Sequence, residues 1–357
     1  MNTLNRTELL GRSIDELENF MESIGEKKFR ARQIHKWIYQ KETHSFYDMT
    51  DLPKDLRAKL DEKVVVSIPR VLKQRVSMDG TRKYLMELRD RKRIETVVIP
   101  QSKEKDTNYS LCISTQVGCP VGCRFCATGA SGFQRNLQAM EIAGQVLSSR
   151  RELAKKVKTI DGPLINSVVY MGMGEPLLNY DETLKSIYML NDYQGMNIGQ
   201  RHLTVSTSGE AKGIHKLAKE DLQITLAISL HATENDLRDE LIPMNKKYPL
   251  EVLMDAVESY AGMTNRRVTF EYIMLDDVNI STSDAKRMIK MIKPLLANVN
   301  LIPYNEVEGL PFKKPSQTSI RAFYNKLVDG GLNVTLREEH GSDIEAACGQ
   351  LAANKER

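Results

Sequence analysis

Tryptophan occurs once in this sequence, and cysteine five times among 357 residues. An odd, small number of cysteines in a chain of this length excludes a disulfide framework as the source of stability. No window holds about eighteen uninterrupted apolar residues, so no membrane span is expected. The start, MNTLNRTELL, lacks a basic stretch followed by an apolar one, and no export signal is expected. No repeat of fixed period and no low-complexity segment is present. The expectation is a reducing, cytoplasmic setting. The length suits one large domain with an accessory piece, able to bury a core without metal or disulfide staples.

The net charge of +4 says little, but its distribution says more. Between Arg70 and Arg93 stand nine Lys/Arg and three acids, a net +6 in 24 residues. A second cluster, KKFRARQIHKWIYQK from Lys27 to Lys41, has six basic residues and no acid, and it includes Trp37 and Tyr39. Any one such run reads as solvated surface. The two together are equally well read as phosphate contacts for nucleic acid.

Three patterns divide the chain. In residues 1–60, Ser13 and Glu16 form a capping box before Ile14, Leu17, Phe20, Met21 and Ile24 at helical spacing. A second helix is predicted over Phe29–Tyr39 and a third after Pro53, making a small helical module. Residues 61–104 carry β-forming runs around Asp79-Gly80 and Arg89-Asp90, which predicts a basic hairpin or meander. From residue 105 to 342, the runs LCIST, INSVVYM, HLTVST, QITLAIS, RVTFEYIM, NVNLIP and LNVTLRE alternate with helix-length amphipathic segments. Such alternation implies a parallel sheet, open or closed, with too few units for a full eight-fold barrel. In such folds a site forms where strands end. The peptides MGMGEPLLN, STSG, SLHA and PYNE all fall at such ends, as does the loop after LCIST.

That loop, CISTQVGCPVGCRFCATG from Cys112 to Gly129, holds four of the five cysteines. Cys119, Cys123 and Cys126 have the spacing C-x3-C-x2-C. Three thiolates on one tight loop can hold three corners of a cubane iron–sulfur cluster, leaving one iron free. A structural zinc site would need four ligands, with Cys112 as the fourth, and paired C-x2-C knuckles are absent. Four thiols in fifteen residues argue against inert core cysteines.

With these motifs the chain resembles the radical S-adenosylmethionine (SAM) superfamily. More closely, QVGCPVGCRFCATG, GFQRNL, GMGEPLLN, STSG, ISLHA, NLIPYN and AACGQL resemble, in order, the bacterial RNA adenine C2-methyltransferases of the RlmN type. The resemblance spans nearly the whole chain, and these motifs are highly specific. It implies an α/β fold: a partial (β/α)6-type radical SAM barrel with an N-terminal helical accessory domain and a β-hairpin connector. It implies a 4Fe-4S cluster on Cys119, Cys123 and Cys126, and SAM bound near Gly174, Glu175, Ser206, Ser229, Leu230, His231 and Asn305. It also implies an adenosine of 23S rRNA as substrate, in some members the tRNA adenosine just 3′ of the anticodon, and a reducing donor such as a flavodoxin-like protein. The sequence does not give the oligomeric state, and a monomer is the expectation.

The resemblance further implies a division of labour among the cysteines. In the family, one SAM methylates a cysteine matched here by Cys348, in the C-terminal segment 343–357. A second SAM yields a 5′-deoxyadenosyl radical that takes hydrogen from that methyl group, and the carbon radical adds to the adenine. A cysteine matched by Cys112 takes the ring proton and resolves the adduct as a disulfide with Cys348. Glu95 matches a residue assigned in the family as a proton acceptor, which overlaps with the role of Cys112. Read alone, Glu95 is equally a salt-bridged strand residue, His231 a structural histidine, and GMGEP an ordinary turn. Two rival functions remain at this point. One is C8 methylation of the same adenine by the sister Cfr type, although Pro176 looks more like the C2 group. The other is a zinc-stapled RNA-binding protein without catalysis.

Overall fold

A computed structural model describes residues 6–102, 108–157 and 164–353. The N-terminal module begins with the two-residue strand β1 (Thr7–Glu8) and ends with β2 (Val64–Val65), which pair in parallel and tie its ends together. Between them lie α1 (Ile14–Ser23), α2 (Phe29–Tyr39) and α3 (Lys54–Lys63). The capping box is formed as predicted. Ser13 Oγ accepts from Glu16 N at 3.1 Å, and Glu16 Oε2 accepts from Ser13 N at 2.7 Å. Leu17, Met21, Ile34, Ile38, Leu56 and Leu60 turn inward as the module's core. The module rests on the rest of the chain through His35 and Asp192, 3.3 Å apart, and through Gln40 Nε2, which donates to Gln194 O at 2.8 Å.

The predicted hairpin is a three-stranded antiparallel meander, β3 (Arg70–Val76), β4 (Arg82–Glu87) and β5 (Arg93–Pro100). Its turns fall at the two predicted places, with Gly80 at φ +87° and Arg91 at φ +64°. The meander continues the main sheet, because β5 pairs antiparallel with β6 (Tyr109–Cys112) in the register Val97↔Cys112.

After β6 the chain forms a small excursion that holds the cysteine loop: β7 (Gln116–Gly118), α4 (Ala127–Ala130) and β8 (Phe133–Asn136), with β7 and β8 paired antiparallel. The alternating core follows: α5 (Ala139–Ala154), β9 (Ile165–Tyr170), α6 (Tyr180–Asn191), β10 (Leu203–Thr207), α7 (Ala211–Leu217) and β11 (Thr225–Ser229). Then come α8 (Asn235–Leu241), α9 (Leu250–Thr264), β12 (Val268–Met274), α10 (Thr282–Ile292), β13 (Ala297–Pro303), α11 (Gln317–Asp329) and β14 (Val334–Leu336). Strands β6, β9, β10, β11, β12, β13 and β14 are parallel and adjacent in that order. Sheet pairing runs from β14 to β3 without closing on itself. This is the partial barrel expected, with a three-residue seventh strand at its edge. All seven predicted β-runs are strands. Helices lie between the seven parallel strands in the chain, and those strands carry no charged residue except in β12. A charged residue inside a strand, such as Glu271 in β12, therefore stands out.

Among the described residues no helix is long and apolar enough to cross a membrane.

Candidate functional site

The cysteine loop begins where β6 ends, at the C-terminal edge of the sheet. Its backbone is tightly folded. A Cβ on Gly118 would stand 1.8 Å from Gly132 O, and one on Gly129 would stand 2.9 Å from Cys123 N and O. Only glycine permits this approach. The next strand end is locked against the loop. Glu175 N donates to Gln116 Oε1 at 2.8 Å, and Asn179 Nδ2 donates to Thr115 O at 2.9 Å. Gly174, at φ +109°, has no room for a side chain, since a Cβ there would lie 2.7 Å from Thr115 Oγ1.

These contacts surround a cavity of about 160 Å³. Cys119, Cys123 and Cys126 line it from one side, and Gly174, Glu175, Ser206, Ser229 and His231 from the strand ends. Cys348 lines it too. A second, smaller cavity of about 60 Å³ adjoins, lined by Cys112, Met171, Asn305, Arg337 and again Cys348. Arg337 also lines both. The fold thus brings the far C-terminal cysteine to the four crowded ones, and it separates Cys112 from the three-thiol group.

Two expected residues lie elsewhere. Leu230 is fully buried and lines neither cavity. It acts through its backbone, donating N–H to Glu271 O at 3.0 Å and accepting from Arg238 Nε at 3.0 Å. Glu95 lines a third cavity, on the meander side of the C-terminal segment. Its carboxylate is an ion-pair partner of Lys83, 3.3 Å away, and accepts from Ala352 N at 2.7 Å. The salt-bridged reading of Glu95 thus holds in this structure, with Lys83 as a partner.

The electrostatics follow from burial. Desolvation pushes the thiols of Cys119 and Cys112 up to about 12 and raises Cys123 well above its ordinary value. The neighbouring thiols and Glu175 raise Cys123 further, against a weak lowering by Arg238. Thiols raised as far as those of Cys119 and Cys123 ionise only beside added positive charge, which a bound iron–sulfur cluster supplies. Among the described residues no three His, Cys, Asp or Glu side chains converge on one point as a lone metal ion would require. A cubane gives each thiolate its own iron, so its ligands need not converge. The residues therefore fit a cluster better than a zinc ion.

Glu175 is buried, and desolvation raises its carboxyl. It accepts from Ser208 N at 2.7 Å and Ser208 Oγ at 2.8 Å, so its charge is held by aligned donors. His231 sits at φ +57° with its ring edge-on to Phe125. Burial, helped by Arg238, pushes the imidazole down to about 3. It is neutral, and since Nδ1 accepts from Ile273 N at 3.0 Å, the proton resides on Nε2. A carboxylate, two hydroxyls, a neutral imidazole and a side-chain-free glycine make a polar cavity wall that fits the amino, carboxylate and ribose groups of SAM.

Three residues escape the sequence reading. Arg238 is completely buried and ties the ends of β10 and β11 together. It donates to Ser208 O at 2.8 Å, Ser229 O at 3.0 Å, Leu230 O and Asn245 Oδ1. Nothing in LRDEL marks it, since an arginine on a short helix reads as exposed. Glu271 lines the three-thiol cavity and stands 3.7 Å from Arg337, which lines both cavities. Glu271 has a signal: it is the one charge in the apolar run VTFEYIM.

The open parallel sheet and the three-cysteine loop at its C-terminal edge define a radical SAM enzyme. The radical SAM superfamily model matches residues 113–289, and a ribosomal RNA large subunit methyltransferase N-terminal domain model matches residues 7–66. The chain is 63% identical, over the full length of both proteins, to a probable dual-specificity RNA methyltransferase RlmN from Syntrophomonas wolfei. It is 48% identical to one from Thermotoga neapolitana, covering 96% of each chain. A crystal structure of a radical SAM methyltransferase from Sphaerobacter thermophilus matches with a TM-score of 0.92 and 40% identity, over 98% of this chain and all of the other. The chain belongs to the RlmN family of radical SAM RNA methyltransferases, whose cofactors are a 4Fe-4S cluster and SAM.

Proposed function

We propose that this enzyme methylates carbon 2 of an adenosine in 23S rRNA, and of the adenosine 3′ of the anticodon in some tRNAs, through a methyl group carried on Cys348. The observation that carries the reading is the position of Cys348, on the walls of both the three-thiol cavity and the cavity of Cys112. From the first it can receive a methyl group and lose a hydrogen from it. In the second it meets the only other cysteine outside the cluster set.

Cys119, Cys123 and Cys126 would hold the cluster, and Gly174, Glu175, Ser206, Ser229 and His231 would bind SAM, with Leu230 acting through its backbone and Asn305 from the adjoining cavity. When bound, the cluster and SAM supply one methyl group and, in a second use, a hydrogen-abstracting radical. Cys348 presents the methyl carbon to the base. Once the adduct has given its odd electron back to the cluster, Cys112 takes the ring proton and passes it on. As thiolate it then attacks the Cys348 sulfur, the sulfur–carbon bond breaks, the freed carbon takes up a proton as the new methyl group, and a Cys112–Cys348 disulfide is left for an external reductant such as a flavodoxin-like donor. Glu95 faces Lys83 and Ala352 in the third cavity, which favours Cys112 over Glu95 as proton acceptor. Arg337 stands beside both sulfurs and is the cation that lowers each thiol against the effect of burial. A monomer in the cytoplasm belongs to the same reading.

The test is an anaerobic assay on rRNA and tRNA fragments carrying deuterium at C2 or C8 of the target adenine. Loss of label from C2, with one added methyl, is expected. Loss from C8 would transfer the enzyme to the sister specificity.

A further inference from the structure

We propose that the meander β3–β5 is a clamp that positions Cys348 against Cys112, with Lys83 and Asp79 as its positioning residues. This rests on reading Cys112 and Cys348 as the pair that closes to a disulfide.

The segment from His340 to Ala352 has one short turn, Ser342–Ile344, and no strand. It bends through Gly341 at φ +66°, Glu345 at φ +56° and Gly349 at φ +85°. A path with so many left-handed bends needs outside anchors to persist. One set comes from the cysteine loop: Ala127 N donates to Gly349 O and Thr128 Oγ1 to Leu351 O, each at 2.7 Å.

The other set comes from the meander. At its tip, Asp79 Oδ2 accepts from Gly341 N at 3.1 Å and lies 3.2 Å from His340 Nδ1. The approach is too close for a side chain, since a Cβ on Gly341 would stand 2.8 Å from Thr81 Cγ2. Further in, Lys83 Nζ donates to Glu345 O at 2.9 Å, three residues before Cys348. Glu95 Oε2 accepts from Ala352 N at 2.7 Å, four residues after it. Lys83 and Glu95 face each other at 3.3 Å, and only 7% of either residue is exposed. Cys348 therefore stands on an arch between two anchor points joined by one buried ion pair.

The meander also positions Cys112. Lys83 on β4 lies opposite Val97 on β5, and Val97 lies opposite Cys112 on β6. Lys83, Val97 and Cys112 form one cross-strand row, so the side chain that anchors the Cys348 arch is in rigid register with the second sulfur. An RNA-binding surface has no use for a buried lysine, and Lys83 is one of the nine basic residues of the +6 stretch.

The experiment is thiol–disulfide exchange with glutathione on the full-length, cluster-loaded protein under anaerobic conditions. Oxidised glutathione forms a mixed disulfide on Cys348, releasing one reduced glutathione. Cys112 then displaces the second and closes the ring. Peptide mass mapping separates the two states. The ring-closure constant measures the effective concentration of Cys112 at Cys348, and a defect confined to global stability does not change it. Lys83→Met should lower ring closure by about tenfold or more, with little change in the mixed-disulfide step. Asp79→Asn should lower it less. Should Lys83→Met fail to fold, Lys83→Met/Glu95→Gln, which leaves no unpaired buried charge, is measured in its place. Folded variants whose ring closure stays within about twofold of the parent would overturn the clamp alone. A parent protein that forms no Cys112–Cys348 disulfide at any glutathione ratio would overturn both the clamp and the paired-cysteine reading beneath it.

Discussion

Nη1 of Arg337 lies 3.7 Å from Oε2 of Glu271, at the place where the two cavities lined by Cys348 meet. That oxygen of Glu271 is buried and, among the described residues, has no partner within hydrogen-bond distance, while Oε1 accepts from Asn300 Nδ2 at 2.9 Å. The pair acts on Cys348 in opposite senses. Burial raises the thiol most, Arg337 lowers it, and Glu271 raises it again. Cys348 is exposed and lines both cavities, so solvent screens part of what either charge does to its sulfur.

A first prediction follows from those signs. Arg337→Met removes the cation, the Cys348 thiol titrates higher, and less thiolate exists at any given pH. Its alkylation by iodoacetamide, followed by mass mapping across a pH series, should slow about tenfold for each unit of upward shift. Glu271→Gln should do the reverse. Identical pH–rate profiles for both variants and the parent would show that the pair does not control this sulfur.

A second concerns the cluster. Cys119→Ala, Cys123→Ala or Cys126→Ala removes one of three thiolates, and no other thiol of the loop lines their cavity. Anaerobic reconstitution of each variant should give colourless protein with little bound iron or sulfide and no reductive SAM cleavage. Cys112→Ala, reconstituted in parallel, should be brown. Stoichiometric iron with normal SAM cleavage in any of the first three would remove the assignment.

A third concerns Arg238. Its guanidinium is buried, with burial lowering its pKa to about 10, and it satisfies four oxygens from two strand ends and a following turn. Arg238→Met keeps much of the volume and leaves Ser208 O, Ser229 O and Leu230 O short of a donor. Buried unpaired acceptors cost about 1–3 kcal/mol each before relaxation. Urea unfolding should show a loss of about 3 kcal/mol or more, and SAM affinity should fall because Ser229 and His231 lose their support. A fully stable Arg238→Met protein would mean that water replaces the guanidinium.

Much of the fold and site is legible in the sequence because it rests on local chemistry. The Ser13–Glu16 box, the α2 limits and both meander turns depend on residues a few positions apart. The seven parallel strands show as short runs rich in β-forming residues and, Glu271 apart, without charge, because most of their positions are at least half-buried. What the sequence hides depends on distant pairing. Lys83 reads as one more surface charge in a +6 stretch, yet it is buried against Glu95 and Glu345, the latter some 260 residues away in the chain. Arg70 is paired with Glu87 at 2.7 Å and Arg75 with Glu345 at 3.3 Å. The stretch is thus less free for phosphate than its charge count suggests. Resemblance groups Glu95 with the reacting cysteines, but its carboxylate points to the meander side of the arch.

The exposed remainder supports a fourth prediction. Arg91 and Lys92 are exposed at the second meander turn. Arg91→Glu/Lys92→Glu should weaken RNA binding and reduce its salt dependence by about 0.7–0.9 log units for each phosphate no longer neutralised. Reductive SAM cleavage in the absence of RNA should be unchanged, since the turn lines neither site cavity. Affinity indifferent to both salt and reversal would make this turn plain solvated surface.

The last prediction separates the two chemical cysteines by order. Cys348 carries the methyl group, so Cys348→Ala should give neither methylated protein nor any RNA adduct. Cys112 acts only after carbon has joined carbon. Cys112→Ala should therefore methylate Cys348, attack the RNA and stall, because no thiol is left to take the ring proton and release the sulfur. A covalent protein–RNA species should accumulate, visible as a shifted band on a denaturing gel and mapped by mass to Cys348. The Cys112→Ala/Cys348→Ala double variant should show no band, since the earlier step masks the later one. Glu95→Gln distinguishes the competing proton acceptor. If Cys112 takes the proton, Glu95→Gln alters the arch but still releases product, slowly and without a trapped adduct. A trapped adduct in Glu95→Gln equal to that of Cys112→Ala would reassign the proton to Glu95 and leave Cys112 only the sulfur exchange. Normal turnover by Cys112→Ala would end the two-cysteine scheme.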